Sequence, residues 1–188
     1  VEAPDVAAYL RLSSVAEAVS HGDPSEYWKS SPYLLNFMEA YQLKQQVDAA
    51  AAAGVELDLR PGPGVLDWET VDAYEQIDPQ NGRLRWLLQD LDAHHAFELL
   101  WVPPSLPYYR TGSIYEDPAS RAFTKRLIFS GWTVVPKAVS TLVSHEAERR
   151  AFARLGRSPR YTQDYSSRGG QRLEFPVRGD RPERMTSF

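Results

Sequence analysis

Apolar residues recur every three or four positions over most of the first hundred residues of the chain. One such segment ends at residues 21–22, and a second begins at residues 23–26, where an acidic capping residue precedes a proline. Another proline predicts a break at residues 31–32. A further amphipathic segment predicts a helix over residues 84–99. The first two-thirds of the chain are therefore predicted to be helical.

The last third of the chain shows a strand–helix–strand pattern. Two basic residues lead into a short apolar run, which predicts a strand at residues 125–129. A Ser-Gly-Trp turn follows, and an amphipathic segment opening at a proline predicts a helix at 136–155. Alternating residues predict a short strand at 172–178. The expected fold class is α+β and mostly helical, with this α/β unit at the end.

Charge is distributed unevenly along the chain. Residues 1–120 carry 7 Lys and Arg against 19 Asp and Glu, a net charge of −12. Residues 121–188 carry 14 Lys and Arg against 6 Asp and Glu, a net charge of +8. Such a division indicates an anionic partner for the basic part, a basic tail solvated on its own, or two parts that face each other. The sequence leaves all three open.

The composition bounds the location of the protein. The longest apolar run, at residues 49–54, is far shorter than the roughly 20 residues that cross a bilayer, so no membrane partner is expected. The chain of 188 residues contains no cysteine, which fits a reducing compartment and a cytoplasmic location. Because it begins with valine, we expect a piece of a longer protein.

Motifs for catalysis are missing from the sequence. It has no nucleophile elbow, no phosphate-binding Gly-Lys-Ser/Thr loop and no dinucleotide fingerprint. One helical face of the 84–99 segment could carry Asp90, His94 and Glu98, which are weak candidates for a divalent metal site. A solvated polar face with local ion pairing explains the same residues.

The turn after the predicted strand offers a possible phosphate contact. The hydroxyl of Ser130 and the backbone N–H groups of Gly131 and its neighbours would lie at a helix N-terminus, which favours anions. The same pattern fits a plain strand–helix unit, and spacing alone does not separate the two.

The stretch Lys-Arg-Leu-Ile-Phe-Ser-Gly-Trp at 125–132 resembles motif IV of superfamily-two helicases, especially their Swi/Snf-like branch. Residues 26–38, 100–109, and 132–139 with 144–149 are similar to successive landmarks of large bacterial helicase-related proteins, often found beside phage-defence or DNA-modification genes. The resemblance implies a helical inter-lobe region at 1–110 and a partial second RecA-like lobe at 111–188. The ATP and Mg²⁺ sites would lie in the complete parent, and no cofactor is expected in this chain.

The resemblance also implies roles for individual residues. Ser130, Gly131 and Trp132 would lie near the nucleic-acid backbone. To these we add Lys137, from its position on the exposed helix face, and Arg126, which leads into the apolar run. The leading hypothesis is a DNA-facing piece of an ATP-dependent helicase or translocase that is not catalytic by itself, with DNA and the remainder of the parent as partners.

Two other functions remain open from the sequence. The chain could be a helical protein-interaction module that docks through its proline-rich segment at 101–109 or through an aromatic cluster formed by Tyr27, Trp28, Tyr33 and Phe37. It could also be a metal-dependent hydrolase built on the carboxylates and imidazole named above.

Overall fold

The structure, a computed structural model, describes residues 1–99, 110, 112–157 and 160, together with the backbone of 177–178 and 181–182. The helices of this part are α1 (Ala3–Ala18), α2 (Ser25–Ser30), α3 (Leu34–Phe37), α4 (Gln42–Ala52), α5 (Trp68–Asp72), α6 (Gly82–Ala93), α7 (Pro118–Ala122) and α8 (Val134–Arg154). Short 3-10 turns occupy Ala96–Glu98 and Ser113–Glu116, and strands β1 (Val177–Arg178) and β2 (Arg181–Pro182) pair antiparallel.

Asp5 joins three of the helical segments. Its carboxylate accepts the backbone N–H of Glu2 at 2.8 Å, which satisfies a free donor at the start of α1. Arg85 of α6 donates to both carboxylate oxygens of Asp5, at 2.6 and 3.2 Å. The indole N–H of Trp28, on α2, donates to the Asp5 carbonyl at 3.0 Å. The buried acid therefore fixes the positions of α1, α2 and α6 relative to one another.

One hydrophobic core includes residues from both ends of the described chain. Leu43 on α4 is completely buried, and Ala138 on α8 is equally inaccessible. The core contains residues of α1, α3, α4, α6 and α8: Leu12, Val15, Ala16, Leu34, Phe37, Leu43, Val47, Leu84, Val134, Val135, Ala138 and Leu142. Helix α8 thus packs with the N-terminal helices, while the boundary near residue 110 stays a prediction.

The predicted α+β fold class is wrong for the described part of the chain. Residues 123–130 form neither helix nor strand, so the expected strand at 125–129 is missing from the strand–helix–strand, RecA-like unit. A strand needs a neighbour to accept its backbone hydrogen bonds, and the described residues supply none beside this run. Of the predicted strand at 172–178, residues 172–176 lie outside the described residues. The described part of the chain is mostly helical.

The two long helices predicted from periodicity are present with altered ends. Helix α8 begins two residues before Pro136, which is tolerated because the N–H groups of the first helical turn have no partner within the helix. Helix α6 ends at Ala93, well before Leu99, because His95 adopts a left-handed conformation with φ of 55°. The break at residues 31–32 is confirmed, since α2 ends at Ser30.

Candidate nucleic-acid interface

The segment from Thr124 to Thr133, here called the connector, lies against α6 and α8. Ile128 borders two surface grooves, which also contain residues of both helices. Leu127 and Phe129, on either side of it, are 74% and 87% exposed. The backbone of these three residues makes no hydrogen bond to any part of the chain that the structure describes. Residues 127–129 therefore present apolar side chains to the surroundings, and their backbone groups have no partner among the described residues.

Arg126 anchors the start of the connector. Its guanidinium donates to both oxygens of Asp90 on α6, at 2.6 and 3.0 Å, and to the carbonyl and hydroxyl oxygens of Thr124 at 2.9 and 3.0 Å. The hydrogen bonds from Arg126 lower the pKa of the Asp90 carboxyl below its ordinary value. Because most of its donors are occupied, Arg126 positions the connector on α6.

Trp132 and Lys137 are held by the N-terminal helices. The Trp132 ring contacts Tyr27 at 4.9 Å and Tyr41 at 6.2 Å between centroids. The Tyr41 hydroxyl accepts the Val134 N–H at 3.1 Å. Lys137 forms an ion pair with Glu39. These contacts fasten the end of the connector and the first turn of α8 to the region around α2 and α3.

The N-terminus of α8 has few donors left for an anion. Tyr41 and the Trp132 carbonyl accept the first two N–H groups of the helix, those of Val134 and Val135. The third residue is Pro136, which has no N–H. A phosphate contact here would therefore depend on the turn before the helix more than on the helix end itself.

Ser130 and Gly131 lie side by side at the surface of that turn. The Ser130 hydroxyl oxygen accepts the Trp132 N–H at 3.0 Å, so it stabilises the turn from within. Both residues are exposed, and a side chain added at Gly131 would meet no atom within 4 Å. Of the five residues predicted to contact nucleic acid, these two make no hydrogen bond with another element among the described residues, whereas the side chains of the other three contact residues outside the connector and α8.

The two oppositely charged parts of the chain face each other. Among the residues that the structure describes, five ion pairs join an acid from residues 1–120 to a base from residues 121–160: Asp90–Arg126, Glu39–Lys137, Asp92–Arg150, Glu98–Arg154 and Asp72–Arg160. Of the three explanations for the uneven charge, the one in which the acidic and basic parts face each other fits these paired residues. Pairing neutralises these carboxylates and, equally, the bases that they bind.

Glu146 adds a local charge cluster on α8. It is buried, which opposes its ionisation, but hydrogen bonds from Arg149 at 2.7 and 2.8 Å and from Arg150 at 2.6 Å outweigh the burial and lower its pKa. Arg150 also forms an ion pair with Asp92 on α6. Through Arg150 and Asp92 this cluster holds α8 against α6.

A groove beside the connector contains residues that the sequence did not indicate. It has a volume of about 490 Å³ and is lined on the α6 side by Arg83, Trp86 and Leu87, and on the connector side by residues 127–130. Trp86 is 63% exposed. In the sequence, the position of Trp86 outside the leucine stripe that faces the core was a signal of this exposure. Ser130, which the sequence predicted to contact nucleic acid, also lines this groove.

No described residue that lines either groove beside Ile128 is acidic. The groove with Trp86 contains Arg83, whereas Arg126, in the neighbouring groove of about 510 Å³, is paired with Asp90. In contrast, the groove between α6 and α8 that contains Arg85 and Arg150 is also lined by Asp78, Asp92 and Glu146. The surface around the connector is therefore compatible with a negatively charged ligand.

The three candidate metal ligands do not form one site, although Nδ1 of His94 lies 3.4 Å from a carboxylate oxygen of Asp90. Both Asp90 oxygens bind Arg126, and Nδ1 of His94 lies 2.8 Å from the Asp90 carbonyl. Glu98 follows the left-handed residue and pairs with Arg154. Among the described residues, no group of three or more His, Asp or Glu side chains could hold a metal ion.

Comparison with protein-family models, with curated proteins and with solved structures finds no match to this chain. Within the part that the structure describes, no helix is long and apolar enough to cross a membrane. The helicase resemblance and the DNA contact stay predictions.

Proposed function

We propose that this chain is a nucleic-acid-facing part of a bacterial ATP-dependent DNA helicase or translocase. ATP and Mg²⁺ would be bound by other parts of the parent, so the chain has no ATPase activity of its own. It contributes backbone contact through the connector, and its helical body sets the geometry between the lobes of the parent. The resemblance of residues 125–132 to motif IV supports the first contribution.

The surface around the connector is the observation that carries this proposal. Ser130 of the exposed turn lines the groove that contains Arg83, and no described residue of that lining is acidic, in a chain whose formal net charge is −4. Lys125 is exposed and has no acidic partner in the described part of the chain. Exposed basic and hydroxyl groups beside free backbone N–H groups are the usual partners of nucleic-acid phosphates.

The ion pairs between the two charged parts support the second contribution. They attach the connector and α8 to the N-terminal helices through Asp90 and Glu39. A contact surface fixed on a packed helical body can transmit a change in lobe position to the bound strand. Arg126 and Lys137, predicted as direct contacts, would then serve chiefly to hold this surface in place.

A salt titration of oligonucleotide binding tests the proposal. Fluorescence anisotropy should show binding of a labelled DNA strand that weakens steadily between roughly 50 and 200 mM salt, because phosphate contacts release counterions. Gly131→Asp should weaken binding by roughly 10-fold or more, since it puts a negative charge on the exposed turn, and a contact to a charged group is worth about 1.5–3 kcal/mol. Gly22→Asp, at a glycine that is equally open and lines neither groove, is the matched control.

Equal affinity of the two aspartate variants would contradict contact at the turn. No binding at the lowest salt concentration would contradict the proposal as a whole.

The exposed side chains of the connector favour one second function, a protein-interaction module. Leu127 and Phe129 form an apolar surface with unpaired backbone, which an extended segment of another protein could cover. The aromatic cluster suggested by the sequence is packed instead: Tyr33 and Phe37 belong to the core, and Tyr27 and Trp28 pack against it. This function predicts that no oligonucleotide binds at low salt.

A further inference from the structure

We infer that the groove between α6 and the connector binds the unpaired bases of single-stranded nucleic acid, with Trp86 and Phe129 as stacking surfaces and Arg83 as a phosphate contact. This inference rests on the proposed function and names the form of nucleic acid and the residues that bind it. It places the main contact beside the turn that the sequence indicated, and on a different set of side chains.

The two aromatic side chains are unusually accessible. Phe129 is 87% exposed and Trp86 is 63% exposed, and both line the same groove. Neither ring contacts another aromatic ring or a cation in the described part of the chain. Because both rings are exposed, their faces are available to a flat ligand. A ligand that covered them would gain the free energy that burial of a large apolar ring normally provides.

Arg83 gives the groove a positive charge without a competing acid. It lies three residues before Trp86 on α6, so both residues occupy one face of the helix. Its guanidinium has no acidic partner within the described residues, whereas Arg85 on the same helix is bound to Asp5. Since Arg83 is the charged residue in the described lining of the groove, which includes no Asp or Glu, an anionic ligand is favoured over an apolar peptide.

The combination of rings and cation specifies a single strand. Bases in a duplex are stacked on one another, and their faces are not accessible to side chains. In a single strand each base offers a face that can stack on an aromatic ring, and a basic side chain follows the backbone beside it. Ser130, on the connector side of the groove, places the exposed turn within reach of the same backbone.

The experiment compares three labelled DNA ligands by fluorescence anisotropy at low salt: an oligothymidylate of about 12 nucleotides, an abasic strand of equal length, and a duplex. The oligothymidylate should bind most tightly. Trp86→Ala and Phe129→Ala should each weaken its binding by roughly 5- to 100-fold, the value of one stacked base, and should affect the abasic strand little. Arg83→Ala should weaken both single strands and reduce the salt slope by about one.

Trp68→Ala is the matched control, because Trp68 is also exposed, at 56%, but lines a different groove near α5. Thermal unfolding of each variant confirms that the fold is kept. Equal affinity for the abasic strand and the oligothymidylate would overturn the stacking site, as would equal effects of Trp86→Ala and Trp68→Ala. If binding still weakened with salt in either case, the proposed function would stand. Absence of binding by every ligand would overturn both.

Discussion

Replacing Arg85 by alanine should lower the free energy of unfolding by about 3 kcal/mol, the effect of leaving a buried carboxylate without its partner. Asp5 is 1% exposed, and Arg85 binds both of its oxygens, at 2.6 and 3.2 Å. The remaining hydrogen bond from the Glu2 N–H compensates only part of the loss. Urea-induced unfolding followed by circular dichroism measures the change.

Two further variants separate charge pairing from other effects of losing the side chain. Arg83 lies on the same helix and has no acidic partner in the described part of the chain. Arg83→Ala should therefore change the free energy of unfolding by no more than about 0.5 kcal/mol. Asp5→Asn combined with Arg85→Ala should recover part of the stability, because the buried charge is gone. A double variant less stable than Arg85→Ala alone would contradict the assigned role of the pair.

The same pair predicts how stability depends on pH. Hydrogen bonds from Arg85 lower the pKa of Asp5 in the folded chain below its ordinary value of 3.8. A carboxyl with a depressed pKa contributes stability that is present above 3.8 and is lost as the pH falls through the folded value. The wild-type chain should therefore lose more stability than Arg85→Ala when both are acidified from neutral pH to below 3.8.

Replacing Leu43 by alanine should destabilise the chain by about 2–5 kcal/mol. The side chain is completely buried on α4, in the core that also contains residues of α1 and α8, so the substitution removes apolar contacts and leaves a cavity. For a chain of this size, each kcal/mol lowers Tm by about 2–4 °C, which calorimetry resolves easily.

Leu10 provides the control for this substitution. It lies on α1 and is 61% exposed, so Leu10→Ala should alter the free energy of unfolding by less than about 0.5 kcal/mol. Similar effects of the two substitutions would mean that α4 does not pack in the core as described.

The sequence predicted most of the helices because their signals are local. The start at residues 23–26, the break at 31–32 and the long helix after the connector follow from caps, prolines and apolar periodicity. The prediction of a strand at 125–129 was wrong for a reason that is not local to the sequence. The run of Leu127 to Phe129 has the composition of a strand, but a strand also needs a neighbour, and none lies beside it in the described residues.

The candidate site was only partly accessible from the sequence. Motif resemblance indicated Ser130 and Gly131, which are exposed at the turn. Nothing local showed that Arg126 would bind Asp90, 36 residues away, or that Lys137 would pair with Glu39. Trp86 was missed because an aromatic residue in an amphipathic helix usually faces the core, whereas Trp86 lies outside the leucine stripe and is 63% exposed beside the connector.

Hydrogen exchange of the chain with and without the oligothymidylate tests the central claim, contact of nucleic acid with the connector. The backbone N–H groups of Leu127 to Phe129 have no hydrogen-bond acceptor in the described chain, so they should exchange rapidly in the free protein. Bound oligothymidylate should slow exchange in the connector and around the exposed face of α6, and leave α5 unchanged. Saturating binding that leaves exchange in the connector unaltered would contradict the claim.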